Sequence, residues 1–138
     1  MKAKYLNKIP DKNSFYRLFE TTGWNQEEKK SKDELYSAIQ KSWFNISVYD
    51  EDNLIGFGRI ISDGFLHAFI VDLIVEPDYQ RCGIGTKLLN CLVDRLKQNG
   101  INDIQLFCAK GKKQFYLKNN FVDRPNDAPG MEYNNKRV

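Results

Sequence analysis

Residues 71–96, VDLIVEPDYQRCGIGTKLLNCLVDRL, leave this chain little freedom. A run of β-branched and aliphatic residues stops at Glu76-Pro77. Gly83-Ile84-Gly85 follows, and then Leu88, Leu89, Leu92, Val93 and Leu96 recur with helical spacing. The pattern predicts a strand, a glycine turn and an amphipathic helix of about four turns, closed by Asn99-Gly100. Glycines at 83 and 85 let the backbone reach left-handed conformations and let a ligand approach it. The N–H groups of a helix's first turn lack internal partners and carry the positive end of its dipole. With Arg81, Thr86 and Lys87 beside them, these N–H groups suit a phosphate. No G-x-x-x-x-G-K-[ST] is present, so this is not a Walker loop. No third glycine completes a dinucleotide fingerprint. A tight turn that binds nothing has the same glycines.

The flanking sequence predicts the rest of the fold. Asn13 or Ser14 caps a short helix through Phe15, Leu18 and Phe19. Ser31-Lys32-Asp33-Glu34 fits a capping box, and Leu35, Ala38 and Ile39 continue it as a helix. FNISVYD and LIGFGRIIS alternate with period two around DEDN, an antiparallel hairpin. LHAFIVDLIVE is a nearly continuous apolar strand, expected to be buried on both faces. IQLFCA is a fourth strand and KKQFYLKNN a short helix, with FVDRP and MEY as candidate edge strands. The expected class is α+β, with a mixed, mostly antiparallel central sheet flanked by helices.

The 138 residues suit one domain, 1–138. A net charge of +3 is too mild for a nucleic-acid binder but suits a small anionic ligand. No stretch reaches the ~20 apolar residues of a membrane span, and the first residues have no apolar core of a signal peptide. Cys82, Cys91 and Cys108 are odd in number and widely spaced, which predicts free thiols in a reducing cytosol. With His67 the sole histidine and no His/Cys cluster, no metal site is expected.

Gln80-Arg81-Cys82-Gly83-Ile84-Gly85 fits the Q/R-x-x-G-x-G/A loop of the GNAT N-acetyltransferases, and the whole of residues 71–96 is similar to that family's core segment. QFYLKNN, running into Phe121, resembles its "FY…GF" element. The two segments fall in the family's order with one strand between them, and the resemblance covers nearly the whole chain. It implies acetyl-coenzyme A as acetyl donor and a primary amine as acceptor. A small-molecule amine is the leading expectation. A protein or peptide N-acetyltransferase, a non-catalytic acyl-coenzyme A sensor and a cofactor-free anion-binding domain are the alternatives.

The resemblance also assigns residues. The loop amides of Arg81, Cys82, Gly83, Ile84, Gly85 and Thr86 would hold the pyrophosphate, with Gln80 at the edge. The backbone of Leu73, Ile74 and Val75 would pair with the pantetheine arm, and a strand N–H around Ile74 would face the oxyanion. IQLFCA would splay from this strand, placing Cys108 near the gap. Tyr116 matches the tyrosine that protonates the departing thiolate; its alternative is packing against Phe115 and Phe121.

Asp72 interrupts FIVDLIV, where an unpartnered acid is costly. It is a base for the amine, an anionic contact for it, or an ion-pair partner of Arg59. His67 is expected to be a strand-end residue. Trp24, with Tyr36, Trp43 and Phe44, either borders the acceptor or packs in the core, and core packing is favoured for Phe44 and Trp24. DAPGME is either a closing loop or a plain turn. CAKGKK lacks an asparagine found in some family members, which leaves Lys110, Lys112 or Lys113 as phosphate contacts. Asn120 stands where the family has glycine and tolerates a positive φ. Cys82, at a helix N-terminus, is a candidate for oxidation. A monomer or a homodimer is compatible with the sequence, C-terminal edge strands being the pairing elements.

Overall fold

The computed structural model describes residues 1–136. The period-two stretches form β2 (Phe44–Asp50) and β3 (Asn53–Ser62), an antiparallel hairpin. β4 (His67–Val75) returns antiparallel to β3, and β5 (Asp103–Gln105) lies parallel to β4. A strand that the sequence did not announce, β1 (Ala3–Leu6), pairs antiparallel with β2. The sheet order is β1-β2-β3-β4-β5, mixed and mostly antiparallel as expected.

The chain clusters into two units, Met1–Leu106 and the residues from Phe107 onward. In the first unit, α1 (Lys12–Glu20) and α3 (Lys32–Gln40) precede the hairpin, with one short turn, α2 (Asn25–Glu28), between them. The cap of α1 is Asp11, whose carboxylate accepts from the Ser14 N–H at 3.0 Å, rather than Asn13 or Ser14. Asp11 is the better acceptor, since its ionised oxygens bind both the Ser14 amide and the Ser14 hydroxyl. The capping box at Ser31 and Glu34 forms as the sequence predicts.

Phe15, Leu18 and Phe19 of α1 and Ile39 of α3 are buried against Leu54, Phe57 and Ile74. Gly58, the next residue after Phe57, faces Leu88 and Leu92 of α4 (Ile84–Gln98). Successive strand residues point to opposite faces. Hence α1 and α3 cover one face of the sheet and α4 the other. The leucine face of α4 is fully buried, and Gly100, at φ +76°, ends the helix. There the Ile101 N–H bonds back to the Leu96 carbonyl at 3.0 Å.

Three expectations are corrected. β4 is not buried on both faces: Ala68, Ile70 and Ile74 are buried, whereas Phe69, Val71, Leu73 and Val75, on alternating positions, are only partly covered. β5 itself is shorter than IQLFCA, stopping at Gln105. FVDRP and MEY form no strands; apart from Phe121, residues 121–133 are solvent-exposed and find no ladder partner. With them goes the expected pairing element for a homodimer. In the second unit, α5 (Lys113–Lys118) is the predicted short helix, and Asn120 takes φ +70° as expected.

Leu92 is 0% exposed and its methyl contacts the space left by Gly58. Leu92→Ala is therefore expected to cost about 2–5 kcal/mol of unfolding free energy, measured by urea titration.

Candidate active site

β4 carries a bulge at its centre. Phe57 pairs with Ile74 and Arg59 with Val71, so Asp72 and Leu73 together stand opposite Gly58. Asp72 takes φ +53°, a left-handed conformation that a short polar side chain tolerates. A Cβ on Gly58 would sit 2.9 Å from both Leu73 Cδ1 and Leu92 Cδ1, so one or both side chains would have to shift. The Arg59 Nε donates to Asp72 Oδ2 at 2.7 Å, and Arg59 Nη1 reaches the Ala38 carbonyl at 3.2 Å. The bulged acid is thus tied to the strand beside it and, through Arg59, to the end of α3. The ion-pair alternative raised for Asp72 is present in the structure.

β4 and β5 pair only at His67↔Asp103, Ala68↔Ile104 and Phe69↔Gln105. β4 runs on to Val75, still paired with β3 on its other side. On the β5 side, residues 70–75 have no strand partner among the described residues. Ile74 is 3% exposed and its side chain sits in the core, so this half of β4 is fixed while one edge of its backbone is unpaired.

Beyond Val75 the Glu76 N–H bonds to the Ile55 carbonyl at 2.8 Å, and Pro77–Tyr79 makes one 3-10 turn. The Gln80 side chain turns back, donating from Nε2 to the Val75 carbonyl at 2.9 Å. Arg81 takes φ +63° and Gly83 φ +83°, and α4 begins at Ile84. Gly83 caps α4 with no side-chain hydrogen bond, and the first turn holds no acidic residue. The N–H groups of residues 82–86 meet no protein acceptor among the described residues. A Cβ on Gly83 would meet nothing within 4 Å. Uncompensated donors, a helix dipole and open space above the backbone together fit an anion. Arg81 and Thr86 are exposed beside it, and the Cys82 thiol, also exposed, donates to the Gln80 carbonyl at 3.5 Å. The Lys87 ammonium instead lies 4.5 Å from the Tyr5 ring centroid.

Tyr116 lies on α5 in the second unit. Its ring meets Phe115 edge-on at 5.0 Å and Phe121 at 5.9 Å, so it does pack as its alternative reading required. Burial first, and the Cys108 thiol second, push its pKa up to about 12. Lys113 is paired with Asp123 at 3.0 Å, whereas Lys110 and Lys112 are exposed. DAPGME is a turn in which the Ala128 carbonyl accepts from Arg124 Nε at 2.6 Å.

Trp24 is 41% exposed and stands edge-on to Phe19 at 5.9 Å, half core and half surface. Phe44 is buried, and Tyr36 packs against the core from its rim. His67 is an exposed strand-end residue whose Nδ1 lies 2.5 Å from Asp103 Oδ2. Among the described residues no group of three or more His, Cys, Asp or Glu side chains is placed to hold a metal, and no helix is long and apolar enough to cross a membrane. The bulge at Asp72 escaped the sequence reading. Its one signal is the acid that breaks the apolar run.

Fold and loop together define an α+β protein with a row of unpartnered N–H groups between a strand and a helix. Residues 12–121 match the model of the acetyltransferase (GNAT) family, and the chain belongs to that family. It is 32% identical over 119 residues to an uncharacterized N-acetyltransferase, ycf52, of Gracilaria tenuistipitata var. liui. That match covers 83% of this chain and 64% of the relative, so the chain spans a little under two thirds of that protein. Among solved structures, a probable acetyltransferase of unknown function from meticillin-resistant Staphylococcus aureus, SA2161, superposes with a TM-score of 0.84 at 24% identity, covering 96% and 99% of the two chains. The PaiA N-acetyltransferase of Thermoplasma acidophilum, solved in complex with coenzyme A, gives 0.73 at 22% identity over 90% and 92%.

Gly83→Ala is expected to lower unfolding free energy by about 1–2 kcal/mol, because φ +83° is strained for any L side chain. Since the added methyl meets no atom, chemical denaturation should register that strain alone.

Proposed function

We propose that this chain transfers an acetyl group from acetyl-coenzyme A to the primary amine of a small molecule, by direct attack within a ternary complex. The observation that carries the reading is the row of unpartnered N–H groups over residues 82–86 at the head of α4, with no acid in its first turn. A structural neighbour bound to coenzyme A supports it. The donor supplies an activated thioester. On this reading the amides of Cys82, Gly83, Ile84, Gly85 and Thr86 bind its pyrophosphate, Arg81 adds charge at the rim, and Gln80 braces the loop through Val75. Leu73, Ile74 and Val75 offer their unpaired backbone edge to the pantetheine arm. An N–H near Ile74 stabilises the developing oxyanion.

Tyr116 acts at the leaving sulfur. A phenol held near 12 keeps its proton at any ordinary pH. Thiols ionise near ~8.5, so full transfer from this phenol to a thiolate runs uphill. Tyr116 therefore stabilises the departing sulfur as a hydrogen-bond donor, and solvent completes the protonation. Asp72 is assigned to the incoming ammonium, as base or as anionic contact, with Arg59 fixing its carboxylate. Trp24 is assigned to the acceptor. The setting proposed is a reducing cytosol, in keeping with three free cysteines.

Thermal unfolding with coenzyme A tests the cradle: ligand at ~100 times its Kd should add roughly 2.7 kcal/mol of stability, and ATP should add far less. No shift in folded protein would overturn the reading. Once an acceptor amine is found, Tyr116→Phe should lower kcat by about 10–100-fold with little change in the KM for acetyl-coenzyme A. The kcat of the wild type should rise with pH as the amine deprotonates and show no fall from Tyr116 up to about pH 10. Asp72→Asn should lower kcat/KM for the amine. Unchanged kinetics with reduced stability would leave Asp72 as the partner of Arg59 alone.

A further inference from the structure

The 3-10 turn just before the glycine loop carries a contact that the reaction itself does not use. The Tyr79 hydroxyl donates to Asp50 Oδ2 at 2.8 Å, across 29 positions of sequence. Asp50 is the last residue of β2, and it pairs with Ala3 of β1 on one side and Asn53 of β3 on the other. Its backbone is therefore fixed by the sheet from both directions, and its carboxylate is a stationary acceptor.

The loop needs such an anchor. Two residues after Tyr79, Arg81 takes φ +63°, an unfavourable conformation for a long side chain, and Gly83 turns left-handed again. Residues held in such conformations persist only where their surroundings over-determine them. On the C-terminal side the buried leucines of α4 do this. On the N-terminal side the bonds from Glu76 to Ile55 and from Gln80 to Val75 tie the loop to β3 and to the end of β4. Among the described residues, the bond from Tyr79 is the one side-chain bond in this segment that reaches the β2 end of the hairpin. Asp50, then burial and the carboxylates of Asp78 and Glu76, raise the pKa of Tyr79, so the hydroxyl remains a donor.

We propose that Tyr79 and Asp50 are positioning residues that set the coenzyme A affinity of the glycine loop, Tyr79 holding the loop's N-terminal arm against the β2–β3 hairpin. The proposal rests on the acetyltransferase reading above. It concerns binding alone, since neither side chain is assigned to the substrate or to the reacting atoms.

The test is isothermal titration of coenzyme A into the full chain and four variants, with the ligand-free thermal midpoint measured beside it. Tyr79→Phe and Asp50→Ala should each weaken Kd by about tenfold, the loss expected for one charge-assisted hydrogen bond. Asp50→Asn retains an acceptor oxygen and should stay within about threefold of wild type. The double variant Tyr79→Phe/Asp50→Ala should be no weaker than either single variant, because both remove the same bond. The ligand-free midpoint of Tyr79→Phe should stay within about 3 °C of wild type. Wild-type binding with an unchanged Kd in Tyr79→Phe overturns this proposal and leaves the acetyltransferase reading intact. So does additive loss in the double variant, or an Asp50→Asn variant as weak as Asp50→Ala. Wild-type protein that binds no coenzyme A overturns both.

Discussion

The burial of one helix face on one glycine organises this protein. Leu88, Leu89, Leu92 and Leu96 are fully buried, and Leu88 and Leu92 of α4 pack over Gly58 of the sheet. A side chain at this position would displace the methyls of Leu92 and Leu73. Because α4 is held there, its N-terminus has a fixed position at the end of β4, and so do the donors of its first turn. The same glycine lies opposite the bulge, so the helix packing and the re-aimed part of β4 meet at one residue. Burial of this face contributes the free energy that an exposed, uncapped helix start and two left-handed loop residues take away.

Charge is distributed to suit. The helix start holds no acid, whereas the Asp72 carboxylate is neutralised by Arg59 within the sheet and that of Asp50 takes a proton donor from Tyr79. Lys87, which the sequence offers as a phosphate contact, is stacked on Tyr5. The positive character of the cradle therefore comes chiefly from backbone donors and the helix dipole. Such donors are fixed in direction and lose no side-chain entropy on meeting an anion.

What the sequence made legible was local. The strand, glycine turn and helix of residues 71–98 are written in consecutive residues, as are the β2–β3 hairpin and the capping box at Ser31. The features that escaped are non-local or conformational. β1 is four residues with two alternating half-buried positions, and only its pairing with β2 makes it a strand. The bulge depends on Asp72 adopting a positive φ opposite Gly58, which neither residue declares alone. FVDRP and MEY have strand-like composition but no ladder to join. Of the candidate site, the loop and Asp72 were legible from type and position. The choice of Arg59 for Asp72 among its three readings, and the bond from Gln80 to Val75, are settled only by the folded chain.

The brevity of β5 has a consequence for the life of the protein outside catalysis. A strand edge without a partner is a template on which any extended chain can add, including another copy of the same protein. In the reading developed here, that half of β4 is where the donor's arm lies. A cosubstrate bound along it would then act as a removable cover for an adhesive edge. Were the cosubstrate bound there, self-association through this edge would fall as its occupancy rises.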